Sequence, residues 1–335
     1  MDLKRIKTFL FGVSVLITLF YLSGCDNDNP TKYDPPIIDP IGGMPAPYQD
    51  VSVSLDGQKL IFFRTKYTYV SKDGLNIQYN PDSTGIWICN IDGSEMKLIY
   101  KNSKDFIGRP QFIPNSNHIL FNLNNQIVKA QYNGNLIDSS EIEFLTTSGN
   151  NFFPSVNFDG SLITYDSNND SPNGMNFIWR MKIDGSQKIR IAYEPKEGEI
   201  RMPYFSPTSG KIIHIRWLVG VQFCEIFLMK NAGDSTKRIT YNSYEDYEPR
   251  LNYLENRLML LRNGSLITRG LNFNNETVLI QKSVQSAIWN ADNKIIFVWL
   301  LGYYKNNGTI WIMNEDGSDK KQITHNYGLI LEGGG

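Results

Sequence analysis

The stretch that decides the fold is IWIMNEDGSDKKQIT, residues 310–324, because the chain writes it more than once. Close copies stand at 86–100 (IWICNIDGSEMKLIY) and 178–192 (IWRMKIDGSQKIRIA), and a looser one at 226–240 (IFLMKNAGDSTKRIT). Each copy is a hairpin in outline: an apolar run, an Asp-Gly or related pair for the tight turn, then a second short run. Worn versions occupy 126–146 and 265–281. A second, companion element precedes each copy. It reads Pro, any residue, an apolar residue, Ser or Asn, a short polar turn, then an apolar run. It appears at 51–63, 110–122, 154–166, 203–215, 249–261 and 287–299.

Each unit therefore holds about four short strands, which we label A to D, and units average about 48 residues. Helical periodicity is absent beyond the N-terminal segment. A lone four-stranded sheet cannot cover both of its faces, and six such sheets cover one another when set radially about an axis. The repeat predicts an all-β fold, a six-bladed β-propeller of four-stranded antiparallel blades. Ile86 with Trp87, Ile178 with Trp179, and Ile310 with Trp311 on strand C supply large apolar groups for packing between blades. The ring could close by direct contact of blades 1 and 6, but a closing strand from a terminal segment, PPIIDPI (35–41) or GLILE (328–332), is the favoured expectation.

The N-terminus reads differently. Lys4, Arg5 and Lys7 precede an apolar run from Phe9 to Tyr21, shorter than the roughly 20 residues that span a bilayer. Leu-Ser-Gly-Cys follows at 22–25 and resembles a bacterial lipobox, in which the Cys is lipidated and becomes the first mature residue. This layout predicts a signal peptide over 1–24, a lipidated Cys25 with a Pro-rich flexible linker over 25–46, and a propeller over 47–335. The expected location is the bacterial cell envelope, on a membrane at the periplasmic face or the cell surface. Several acyl chains on one Cys would hold the chain stably. The chain of 335 residues carries a net charge of −1, with no basic block, so nucleic acid is not an expected partner. Cys89 and Cys224, on strand C of non-adjacent blades, are expected to be buried free thiols.

The sequences YFSPTSGKIIHI, VNFDGSLITY and IWIMNEDGSDKKQIT resemble the repeats of TolB-type propellers. That family's pattern runs roughly P-x-W-S-P-D-G-x-x-I-x-F, then I-Y-x-M-x-x-D-G-x-x-x-x-x-L-T. The resemblance covers about 47–326. It implies the propeller fold and, more weakly, an envelope role. The chain shows no sign of the α/β domain that precedes the propeller in TolB, and TolB is not lipid-anchored.

Catalytic patterns are scarce. His118, His214 and His325 are far apart in sequence, whereas a channel metal site of the kind found in propeller lyases needs several His facing one cavity. The Asp-Gly pairs are isolated, one per hairpin, and turn chemistry accounts for them; calcium wants six to eight clustered oxygens. DSNNDSPNG (166–174) is the best metal-loop candidate and reads as a polar B–C loop. No enzyme activity, metal or cofactor is expected.

Binding is the expected business. The residues entering strand A should ring the channel mouth: Asp50, Arg109, Phe152, Arg201, Tyr247 and Glu248 are candidates. The blade 1 insertion (65–84) adds Tyr67 and Tyr69, and the B–C segments of blades 4 and 6 add Trp217 and Tyr303. Arg and aromatic residues are favoured at binding hot spots. An envelope protein or peptide is the expected partner, with a carbohydrate-binding or carbohydrate-cleaving, lyase-like propeller as the alternative. Replacing Cys25 with Ser is expected to move the protein from the membrane to the soluble fraction on cell fractionation; persistent membrane association would count against the anchor.

Overall fold

The computed structural model describes residues 48–71, 77–192, 198–218, 220, 223–271, 275–300, 308–326 and 330–331. The segment 1–47, with the expected signal peptide, Cys25 and linker, lies outside the described residues, as does PPIIDPI.

Six four-stranded antiparallel sheets follow one another along the chain. Their first strands are Tyr48–Val53, Ile107–Phe112, Asn151–Val156, Ile200–Phe205, Asp246–Leu251 and Val284–Trp289. These strands touch one another and form the inner ring of a six-bladed propeller. Within every blade, strands A to D pair in sequence order. The repeat copies fall where the sequence placed them. Gly85–Asn90, Phe177–Lys182, Cys224–Met229 and Thr309–Met313 are strand C of blades 1, 3, 4 and 6.

Alternation explains the Ile-Trp pairs. Successive side chains on a strand point to opposite faces, so each pair serves two blade interfaces. Ile86 packs toward blade 2 with Ile107, Ile119 and Phe121, whereas Trp87 packs toward blade 6 with Ile296 and Ile310. Ile178 faces blade 4, and Trp179 faces blade 2. Each of six hydrophobic clusters fills one inter-blade interface. Full burial of one Ile or Leu side chain contributes about 1.5–3 kcal/mol, so each interface is a small core of its own.

The ring closes by direct contact. Tyr48, Leu60, Phe62 and Cys89 of blade 1 pack on Ile296, Val298, Ile310 and Ile323 of blade 6. The Tyr48 hydroxyl donates to the His325 carbonyl at 3.0 Å. Ile330–Leu331 from the expected closing segment adds to no blade. It pairs in parallel with Tyr67–Val70, the first strand of a hairpin that the blade 1 insertion forms with Ile77–Tyr79. Cys89 and Cys224 are free and buried, and burial pushes both thiols up, Cys89 to about 12.

Two of the C–D turn glycines do more than turn the chain. Gly93, at φ +85°, sits between strands C and D of blade 1 against strand D of blade 6, where an added Cβ would meet the Ile323 carbonyl oxygen at 2.1 Å. Gly233, at φ +88°, meets the Ile191 carbonyl of blade 3 in the same way. At these two positions the C–D turn of one blade docks on the outer strand of the preceding one with no room for a side chain, whereas Gly317 in the same turn of blade 6 meets only ordinary contacts. The A–B turn residue Gly57 has open space around it. Gly93→Ala and Gly233→Ala are expected to lower stability by about 2 kcal/mol each, and Gly57→Ala by less, because only backbone strain remains there; urea titration of the three variants measures the difference.

Candidate functional site: the central channel

The side chains that face the axis are set by a repeated irregularity. In all six blades the register between strands A and B slips near the start of strand A. In five of them the slip coincides with a non-glycine residue at positive φ: Asp50 (53°), Arg109 (54°), Phe153 (49°), Met202 (51°) and Glu248 (52°). Such a bulge bends the strand and re-aims a side chain. Proline follows it in four blades, at Pro110, Pro154, Pro203 and Pro249. A proline lacks an amide donor, which suits a strand edge that no neighbour strand covers. In blade 6 the positive φ angles fall earlier, at Lys282 and Ser283.

Three of the bulged residues meet across the channel. The Arg109 guanidinium grips Glu248 with two bonds, of 2.5 and 2.9 Å, and lies 3.2 Å from Asp50 Oδ1 through its Nε. The Arg109 backbone N–H donates to the other Asp50 oxygen at 3.1 Å. Tyr204 donates its hydroxyl to Glu248 at 2.9 Å, and Arg250 Nη2 reaches the same oxygen at 3.3 Å. The Phe153 ring lies under the Arg109 guanidinium, 4.5 Å away. Residues of five blades thus form one neutral ion-pair cluster. Burial by itself would raise the Glu248 pKa, and the Arg109 and Arg250 charges more than reverse this, so it is lowered. Burial likewise opposes the charge on Arg109, and Asp50 and Glu248 override it, holding the guanidinium well above its usual pKa.

The remaining candidates stand around this cluster. Arg201 pairs with the fully buried Asp166 at 3.4 Å and lies 5.8 Å from the Phe152 ring. Tyr247 packs on Trp217, with ring centroids 6.5 Å apart, and donates to Glu245 at 2.6 Å. Tyr67 is buried in the insertion hairpin, and Tyr69 stands beside it on the strand that pairs with Ile330–Leu331. Tyr303 lies outside the described residues. The cationic groups at the strand-A starts are therefore engaged by the protein's own carboxylates.

From the cluster, a cavity of about 580 Å³ runs along the inner strands to the A–B turns. Its wall carries the residue after each proline or its equivalent: Ser52, Gln111, Ser155, Tyr204, Arg250 and Ile288. Several tie neighbouring blades together. The Gln111 side chain donates to the Pro154 carbonyl at 2.7 Å and accepts from the Val156 N–H at 3.1 Å, replacing a missing strand partner. Ser155 Oγ accepts the Phe205 N–H at 3.1 Å. The outer end is collared by Leu55, Pro114, Phe158, Pro207 and Tyr253, one from each of five A–B turns, with Leu55 and Phe158 exposed. Sequence reasoning missed this wall and collar. The signal was the position after the repeat's proline, which varies while its neighbours stay apolar.

The histidines stay apart. His118 bonds Ser116 near an A–B turn, while His214 is fully buried on strand B of blade 4, stacked on Phe227, where burial and Arg216 lower its pKa to about 3. Among the described residues, no three His, Cys, Asp or Glu side chains gather as metal ligands. The Asp of each Asp-Gly turn accepts from its own loop, as Asp316 does from the Ser318 N–H and hydroxyl.

With this geometry in hand, comparison with solved structures places the fold. The domain is a six-bladed β-propeller similar in fold to that of TolB. TolB from Acinetobacter baumannii superposes with a TM-score of 0.60 at 16% identity, over 81% of this chain and 64% of that one. A chain of the nidogen/laminin complex gives 0.54 at 11% identity, over 83% and 91% of the two chains. An oligogalacturonate lyase solved with manganese gives 0.54 at 9%, over 85% and 80%. This TolB-like chain thus spans about two-thirds of the A. baumannii protein's length, and likeness at such identities concerns the fold alone. No family model and no curated protein matches the sequence.

Two carboxylates at opposite ends of the channel make separable predictions. Glu248→Gln strands a mostly buried guanidinium and is expected to cost about 3 kcal/mol, with the Glu248→Leu/Arg109→Leu pair costing less than the sum of the singles in a double-mutant cycle. Glu255, beyond the collar, accepts from the Thr208 and Ser209 hydroxyls and the Ser209 N–H. Burial acts to raise its pKa, but these bonds prevail and lower it to about 2. Its folded pKa is below its unfolded one, so its contribution is full above about pH 4.5 and is lost as pH falls toward 2. Glu255→Gln should flatten the acid limb of the melting-temperature profile in that window and leave the neutral limb's shape unchanged.

Proposed function

We propose that this chain is a non-catalytic binding module of the bacterial cell envelope, tethered through a lipidated Cys25 and holding a partner protein or peptide in the open end of its channel. The observation that carries this reading is the cavity itself. It is polar along its wall, apolar at its collar, and of the size that ligand sites use, roughly 300–1,000 Å³. An apolar rim around polar groups suits an extended segment that places side chains on the collar and hydrogen-bonds within. The polarity of the strands supports the same arrangement. Tyr48 opens the first inner strand at the ion-pair end, so the chain preceding it enters the domain on the face opposite the collar. A tether over 25–46 could reach about 60 Å if largely extended, leaving the collar turned toward other envelope components.

A carbohydrate ligand is the second reading. The exposed Phe158 ring beside Ser, Asn and Gln side chains would suit sugar stacking, and an oligogalacturonate lyase shares the fold.

A photoreactive phenylalanine analogue at position 158, in living cells, tests the choice. The expected result is a discrete adduct with an envelope protein, absent when the same analogue replaces Val278 on the outer strand of blade 5. Equal labelling from both positions, or adducts from neither, would overturn the proposal, and retention of a defined glycan by the purified domain would then favour the second reading.

A further inference from the structure

The chemistry at the inner end of the cavity narrows the ligand class, on the assumption that the channel reading above holds. The charged side chains that line the cavity are Asp50, Asp56, Arg109 and Arg250. They are not equivalent. Arg109 is saturated by two carboxylates, with bonds of 2.5 and 2.9 Å to Glu248 and an approach of 3.2 Å to Asp50. Asp50 in turn accepts from the Arg109 backbone. Asp56 stands at the collar, held by the Ser54 hydroxyl at 2.5 Å and the Gln58 N–H at 3.0 Å.

Arg250 is the loosely held member. Its Nη2 reaches Glu248 Oε2 at 3.3 Å, an oxygen that already accepts from Arg109 and Tyr204 at 2.9 Å each. Its Nη1 lies 3.4 Å from the carbonyl of its own neighbour Pro249, a long bond. The guanidinium rests on the Tyr204 ring face, which fixes its plane. A guanidinium has five N–H donors in a fork that matches a carboxylate; here its bonds to Glu248 and to the Pro249 carbonyl are long, at 3.3 and 3.4 Å, and its remaining engagement is with Tyr204. The bulge and Pro249 turn this fork toward the axis, and Ser52, Ser155 and Gln111 line the same cavity.

The geometry points to Arg250 as the receiving group for a carboxylate of an extended peptide inserted through the collar. The acid occupies the inner end, and flanking apolar side chains rest on Leu55, Phe158 and Tyr253. The ligand class is an acidic, partly apolar peptide segment. The carboxylate exchanges a shared, stretched contact for a bond of its own. Glu248 keeps Arg109 and Tyr204, so the ion-pair cluster persists when the ligand binds.

The probe is a fluorescently labelled hexapeptide of alternating leucine and glutamate, with the leucine–glutamine hexapeptide as neutral counterpart and trigalacturonate as a sugar carboxylate. Binding to the purified propeller is followed by polarisation. The acidic peptide should bind about tenfold or more tightly than the neutral one, the equivalent of one charge-assisted hydrogen bond, and more weakly as salt is raised. Arg250→Gln should abolish the preference, and Arg250→Lys should retain part of it, with melting curves showing both variants folded. Equal binding of both peptides, an acid preference that survives Arg250→Gln, or Arg250-dependent binding of trigalacturonate alone would overturn the inference. The crosslinking at position 158 separates this from the broader reading. An adduct undiminished by Arg250→Gln sinks the carboxylate assignment while the binding module stands; no adduct in either protein sinks the module.

Discussion

Every blade has two apolar faces and no way to cover either alone. That constraint governs the molecule. The Ile-Trp pairs of strand C send one side chain to each neighbouring blade, so no blade's core is complete until both neighbours are present. The C–D glycines enforce how closely neighbours approach. Gly93 and Gly233 lie against a carbonyl of the preceding blade with no space for a Cβ. Because an apolar cluster fills the blade 6 to blade 1 interface as one fills each of the other five, the ring closes without borrowing a strand, and the C-terminal Ile330–Leu331 pairs with the insertion hairpin instead.

Radial packing creates a second demand at the axis. Strand A is an edge in every blade, and an edge exposes unpaired backbone groups. The chain meets this with bulges, prolines and side chains that stand in for a strand. Gln111 satisfies both a donor and an acceptor of blade 3, Ser155 satisfies an amide of blade 4, and Asp50 one of blade 2. The same bulges aim Asp50, Arg109 and Glu248 at one another. The ion-pair cluster is thus a consequence of how the inner edges are finished, and it gives the channel two unlike ends: one lined by paired charges, the other ringed by an apolar collar.

Function follows from that asymmetry. Arg109 is held by Glu248 and Asp50, and Arg201 stands beside Asp166. Arg250 reaches at 3.3 Å an oxygen of Glu248 that Arg109 and Tyr204 already hold at 2.9 Å each. The collar lies on the face opposite Tyr48, where the first inner strand begins.

The sequence alone determined the blade count, the four-strand unit, the TolB-like pattern and the buried state of Cys89 and Cys224, because these depend on periodic apolar spacing and turn residues that recur locally. It also supplied Asp50, Arg109 and Glu248 as candidates, since position in the repeat identified the strand-A starts. Their pairing was not readable there. Whether an arginine in a ring faces a ligand or a carboxylate depends on partners from blades about 60 and 140 residues away, on which side of the bulge each side chain points, and on the oxygen it must share. The collar and the cavity wall were hidden for a related reason: the wall takes one residue from each of six blades and the collar one from each of five, and residues so spread along the chain become a surface only when the ring is closed.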